Sequence, residues 1–184
     1  MQAWRGGKTN RGTLVLGGFL GEILEIVDEN NNVIGTETRK KIHEVMLMHR
    51  AVHILVVNSK EEILLQQRSE KKDTYPGYYT TSACGHLDVG EDYLTAAKRE
   101  LQEELGFEGE LKKALSVAGQ ETTNKEFVET FLFKTDEEPV FPKEEISKIK
   151  YFPIKDLEEL IASDSIKLTP MAKLILKRFL EVQK

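Results

Sequence analysis

One stretch constrains the chain more than any other: Asp92 to Leu105, DYLTAAKRELQEEL. Leu94, Ala97, Leu101 and Leu105 recur at three- and four-residue spacing, the period of a helix with one apolar face. Asp92 can cap its N-terminus, and Gly106 can take the left-handed position after its last turn. The polar side of this helix is unusual. Glu100, Glu103 and Glu104 share an arc of about 100°. Glu100 and Glu104 repel each other at i,i+4, and acids near a helix C-terminus oppose its dipole. Arg99 compensates in part. Two readings follow from the helix alone: a solvated acidic face, or carboxylates gathered around a hard divalent cation that keeps waters for a phosphate.

The flanking chain supplies strands. Ile23–Val27 and Val33–Gly35 read as extended pieces separated by Glu29-Asn30-Asn31-Asn32. Ala51–Val57 is a strong strand, turned by Asn58-Ser59-Lys60 onto Ile63–Gln67 as a hairpin partner. Tyr78–Ala83, Leu111–Val117, Phe127–Lys134 and Lys148–Phe152 are further strands. Arg39–Met48 is charged, with an irregular apolar pattern that assigns no element. Pro153 opens a helix to about residue 162, and Thr169-Pro170 opens a last one to about Val182. Strands, helix, strands, helices predict an α+β fold, an α/β/α sandwich around a mixed sheet. Residues 1–21 are Gly-rich and expected to be poorly ordered; 22–184 should form a single domain ending in helices.

Composition excludes several classes. A chain of 184 residues suits one domain. A net charge of −5 argues against a nucleic-acid partner, which needs a basic surface. No apolar run approaches the roughly 20 residues of a membrane span. The stretch Leu14–Leu20 is short and broken by Gly17 and Gly18, so no signal peptide is expected. Cys84 is the only cysteine, which points to a reducing, cytoplasmic location.

From Gly85 the sequence reads GHLDVGEDYLTAAKRELQEELGF. Gly85, Glu91, Arg99, Glu100, Leu101, Glu103, Glu104, Gly106 and Phe107 fill every fixed position of the Nudix box. The chain resembles the Nudix family over most of residues 42–152. The resemblance implies a Nudix-type sandwich whose loop–helix–loop binds Mg²⁺ or Mn²⁺. It makes Glu100, Glu103 and Glu104 the ligands, places Gly85 at the same site, and has Arg99 orient the helix through Glu91. The implied reaction is hydrolysis of a diphosphate linkage in a nucleoside-diphosphate-type small molecule. Bound cations would neutralise the diphosphate and acidify a water. Glu103 is the expected general base, with Glu126 and Glu129 as rivals. Nudix proteins are frequently dimers, so a homodimer is one expectation.

A second resemblance lies inside the first. RSEKKDTYPGYYTTSACGH, Arg68 to His86, is similar to type I isopentenyl-diphosphate isomerase, which uses the Nudix fold for proton transfer. That resemblance implies a catalytic Cys84 before Gly-His and a metal held by His86, His43 and His49. Glu126 and Glu129 match its two remaining metal ligands on a later strand, Arg68 and Lys72 match its diphosphate contacts, and Glu126 is also expected at the substrate. Three histidines with carboxylates suit Mn²⁺ or Zn²⁺. Three departures stand against the isomerase. Its own box is degenerate, whereas this one is complete. Met171 follows Thr169-Pro170 where the isomerase has Trp, and Trp4 is the only Trp. No Tyr occurs between Phe107 and Lys150. The isomerase-like branch of Nudix hydrolases fits better, combining His49-Arg50-Ala51, a full box and a Thr-Pro helix. The leading expectation is therefore a metal-dependent pyrophosphohydrolase, with the isomerase as the alternative. His53 is expected to be a core residue. Tyr75, Tyr78, Tyr79 and Phe127 are candidates to cover a base or an apolar tail.

Overall fold

The computed structural model describes residues 21–122 and 124–183. The expectation for residues 1–21 lies outside them, Gly21 excepted. The chain runs β1 (Ile23–Val27), β2 (Val33–Thr38), α1 (Arg39–Val45), β3 (His49–Val57), β4 (Glu62–Arg68), β5 (Tyr79–Thr80) and β6 (Ala83–His86). There follow α2 (Tyr93–Leu105), β7 (Lys112–Val117), β8 (Glu126–Lys134), β9 (Ile146–Pro153), α3 (Leu157–Ser163) and α4 (Pro170–Val182).

The strands join one mixed sheet organised around β3. Strand β8 pairs parallel to β3 along its whole length, from His49↔Glu126 to Val57↔Lys134. On its other edge β3 meets β1 at His49, β6 over Ala51–Ile54, and β4 only at Val57↔Ile63. The expected hairpin thus exists as a turn but not as a ladder. Beyond Val57 and Ile63 the two strands diverge, and β4 pairs instead with β9 and β5.

Alternation along β3 divides the core, because successive side chains point to opposite faces. Val52, Ile54 and Val56 pack with Ala96, Ala97, Leu101 and Leu105 of α2. Ala51, Leu55 and Val57 pack with Leu157 and Ile161 of α3 and with Met171, Ile175 and Phe179 of α4. This is the predicted α/β/α sandwich.

Helix α2 starts at Asp92, whose carboxylate accepts from the Thr95 N–H, and ends at Gly106 with φ 73°. Its apolar face differs in one place: Leu94 is exposed, and Ala96 takes part in the core instead. Thr169 caps α4, and Pro170 supplies its fixed φ at the first turn. The segment left unassigned by its irregular pattern forms α1, which buries Ile42 and is capped by the Thr38 hydroxyl. Pro153 closes β9 rather than opening a helix; a 3₁₀ turn over Ile154–Asp156 intervenes before α3. Among the described residues, no helix is long and apolar enough to cross a membrane.

Candidate metal centre and active-site cleft

A cleft of about 550 Å³ opens where β3 and β4 part. Two groups of charged side chains face it from different elements.

The first is the carboxylate row of α2. Glu100 and Glu104 line the cleft, and both are buried. Glu103 sits farther out, 3.6 Å from an Arg99 amine. Arg99 holds the row. Its Nε and Nη2 donate to both oxygens of Glu91 at 3.0 and 2.7 Å, the forked geometry a guanidinium favours. Its Nη1 donates to Glu100 at 2.6 Å and its Nη2 to the His86 carbonyl at 3.0 Å. These partners raise the guanidinium pKa further despite burial. Gly85 makes room for Glu100: a Cβ there would overlap the Glu100 carboxylate, which would have to leave its place beside Arg99. Glu104 Oε2 accepts from the Cys84 N–H at 2.9 Å and from the Gln66 amide at 2.7 Å. Burial lifts its pKa to about 7 against those two donors.

The second group is His43 on α1, His49 on β3, His86 on β6 and Glu126 on β8. One donor atom of each lies within 4.8 Å of the others. The three ring centroids are 5.0 to 5.2 Å apart. His49 Nδ1 donates to the Leu47 carbonyl at 2.9 Å, which leaves the Nε2 lone pair for the cluster. Nε2 of His43 and Nε2 of His49 are buried and make no hydrogen bond. Buried polar atoms are nearly always partnered, so two orphans aimed at one point fit a cation, and three imidazoles with one carboxylate suit a transition metal. Burial, then the neighbouring His86 and His49, hold His43 down at about 4. Burial would lower His86 too, but Glu126 and Glu22 outweigh it and raise it to about 9. In turn His49 and His86 hold Glu126 well below the usual carboxylate range, although burial pushes the other way.

Cys84 lies between the groups, in the cleft wall. Burial, then the charge of Glu104, pushes its thiol up to about 12, so it is neutral. Arg68 and Lys72 reach the cleft as well, Lys72 bonded to Glu145 at 3.0 Å and Arg68 to the Thr74 carbonyl at 2.9 Å.

Two assignments are revised. Glu129 does not join the cluster; it binds Lys113 at 2.6 Å. It stands three residues from Glu126 on β8, and an odd separation on a strand points to the opposite face. Glu126, expected both at the substrate and as a match to a metal ligand, is narrowed to the second place, among the histidines. His53, expected in the core, is buried yet also lines the cleft, as do Arg39 and Glu22, which sequence reasoning did not single out. The even spacing of His49, Ala51 and His53 was the available signal.

Comparisons with known proteins agree with this geometry. A family model described as the NUDIX domain matches residues 47–172. Isopentenyl-diphosphate Delta-isomerase 2 of Photorhabdus laumondii is 37% identical over 145 residues, covering 76% of this chain and 82% of that protein. An uncharacterized Nudix hydrolase of Yersinia pestis is 44% identical over 88 residues, 48% of each chain. The crystal structure of DR0079 from Deinococcus radiodurans superposes with a TM-score of 0.76 at 26% identity, covering 85% of this chain and 98% of that one. The chain belongs to the Nudix family, within its isopentenyl-diphosphate isomerase-like branch.

Proposed function

We propose that the protein is a divalent-metal-dependent hydrolase of a diphosphate linkage in a small molecule. The observation that carries this reading is the complete carboxylate row, with Glu100 and Glu104 turned into a cleft that Arg68 and Lys72 also line. Glu100, Glu103 and Glu104 are the proposed Mg²⁺ or Mn²⁺ ligands at the row. The histidine–Glu126 cluster is a proposed second, nitrogen-rich site. A cation there supplies charge neutralisation of the diphosphate and acidification of water. Arg99 keeps Glu100 and Glu91 aligned. Glu103, the more exposed member of the row, accepts the proton of the attacking water. Arg68 and Lys72 meet the departing phosphate charge.

The test is turnover of a panel containing nucleoside diphosphate derivatives and isopentenyl diphosphate, with Mg²⁺ or Mn²⁺, read as phosphate or diphosphate-bond cleavage in ¹⁸O water. Cleavage that falls at least a hundredfold in Glu103→Gln is expected. Cleavage of no member, or cleavage indifferent to Glu103→Gln and Glu100→Gln, would remove the reading.

A second reading is favoured by one observation: Cys84 and the histidine–Glu126 cluster share the cleft, and relatives over most of the chain are isopentenyl-diphosphate isomerases. Its neutral thiol could give a proton to a double bond. Deuterium exchange from water into isopentenyl diphosphate, lost in Cys84→Ala, would establish it; silence in the unmutated protein would remove it.

A further inference from the structure

His53 lies outside both charged groups, and no step above uses it. It sits directly across from Cys84 in the β3–β6 ladder, so the two side chains leave the same face of the sheet and enter the same cleft. Its Nδ1 is 2.7 Å from the Thr81 hydroxyl oxygen. That hydroxyl donates its one proton to the Ala83 carbonyl at 3.3 Å, and a carbonyl only accepts. Both hydrogen bonds are made together only when His53 Nδ1 is the donor, and that pairing assigns the ring proton to Nδ1. Burial holds the ring neutral, at about 4. Nε2 is consequently a bare lone pair, and it makes no hydrogen bond among the described residues.

His49 and His53 are four residues apart on one strand, about 13 Å along β3. A group esterified to a diphosphate at the metal-binding end can therefore reach His53 within the same cleft. That cleft is lined by Ala51, Thr80, Thr169 and Met171 as well as by the charged groups Glu126, His86 and Arg68, which act on the His53 ring. A hydrocarbon tail would strip water from Nε2 and give nothing back. A hydroxyl or amino group would satisfy it. Sites built around a buried polar group reject analogues lacking its partner far more strongly than apolar sites reject an extra methylene.

We infer that His53 Nε2 is the specificity-determining acceptor of this cleft, and that the diphosphate it takes carries a hydroxyl or amino donor on its organic end rather than bare hydrocarbon. The inference rests on the diphosphate reading above, but its test reads binding, so it stands or falls independently of turnover.

The probes are alkyl diphosphates of three to six carbons, each with and without a terminal hydroxyl. Affinity for the full chain is measured by calorimetry with Mn²⁺, alongside turnover. The hydroxylated member of at least one pair should bind about tenfold more tightly or better. His53→Leu should abolish that preference by weakening the hydroxylated member and strengthening its hydrocarbon partner. His53→Gln, which keeps an acceptor, should retain part of it. Thr81→Val, which frees the ring tautomer, should reduce it. Equal affinity within every pair, a preference for hydrocarbon, or a preference unchanged in His53→Leu would overturn the inference. If the panel used to test hydrolysis is not cleaved while the binding preference holds, the hydrolase reading falls and this one remains.

Discussion

The acidic row of α2 and the imidazole cluster face one cleft, yet they are held in opposite ways. In the row the carboxylates are tied to protein donors: Arg99 serves both oxygens of Glu91 and Oε1 of Glu100, while Gln66 and the Cys84 N–H both serve Oε2 of Glu104. In the cluster two buried ring nitrogens have none. The row is held from within by one guanidinium and two neutral donors, so its geometry can persist without a cation while its remaining negative charge can still take one. The cluster leaves polar atoms unmatched, so a cation would complete it. Burial alone does not make a metal site; unmet donors converging on one point do.

The largest way to break this contrast is Arg99→Ala. Removing the guanidinium leaves the buried Glu100 and the half-buried Glu91 without their counter-charge, which should cost about 3–5 kcal/mol in urea unfolding. Added Mn²⁺ should then recover part of the loss, because the cation would supply the counter-charge that Arg99 gave. A cost under about 1 kcal/mol would show that the row is not held by Arg99.

Next comes the cluster itself. Adding Mn²⁺ or Zn²⁺ at a hundred times its dissociation constant should stabilise the unmutated protein by about 2.7 kcal/mol. Glu126→Gln or His49→Ala should remove that gain, whereas Glu129→Gln should leave it intact. A gain that survives His49→Ala would move the tight site elsewhere.

Gly85→Ala should destabilise by about 1–3 kcal/mol, since the new methyl overlaps Glu100 and the row must shift. The paired variant Gly85→Ala with Glu100→Ala should be less unstable than additivity predicts, measured as a double-mutant cycle.

The smallest effect is on pH dependence. His86 is raised to about 9 by Glu126 and Glu22, so in the cation-free protein it is protonated through the neutral range. A cation must displace that proton. Affinity should therefore rise with pH by up to tenfold per unit below about 9, and level off above it. Proton release is checked by calorimetry in buffers of differing ionisation enthalpy. Affinity that is flat from pH 6 to 8 would contradict it.

Legibility in the sequence followed contiguity. Helix α2 could be read to its caps because its period, N-cap Asp92, C′ Gly106 and all its acids lie in one run of chain. The residue choice at Gly85 and the Arg99–Glu91 pairing were implied by resemblance and reappear as distances. The cluster was harder. Its ligands come from α1, β3, β6 and β8, and only the parallel β3–β8 register brings Glu126 opposite His49. The resemblance to the isomerase placed Glu129 with Glu126, but the odd separation of the two on β8 turns Glu129 to the opposite face, where it meets Lys113. Helix α1 was illegible from its apolar pattern, with Ile42 as its one buried residue, although Thr38 three residues before Lys41 was a readable cap. The β3–β4 hairpin was overread: nearness in sequence gave the turn, but the cleft needs the strands to separate.

That same parallel register has a temporal consequence. Parallel strands far apart along the chain pair late, after shorter loops have closed. His43, His49 and His86 can approach one another before Glu126 arrives, but the full ligand set exists only once β8 has docked on β3. A cation requiring all four residues would be captured past the folding barrier. It would act as a latch, lengthening the lifetime of the finished protein by slowing its unfolding while leaving the refolding rate unchanged.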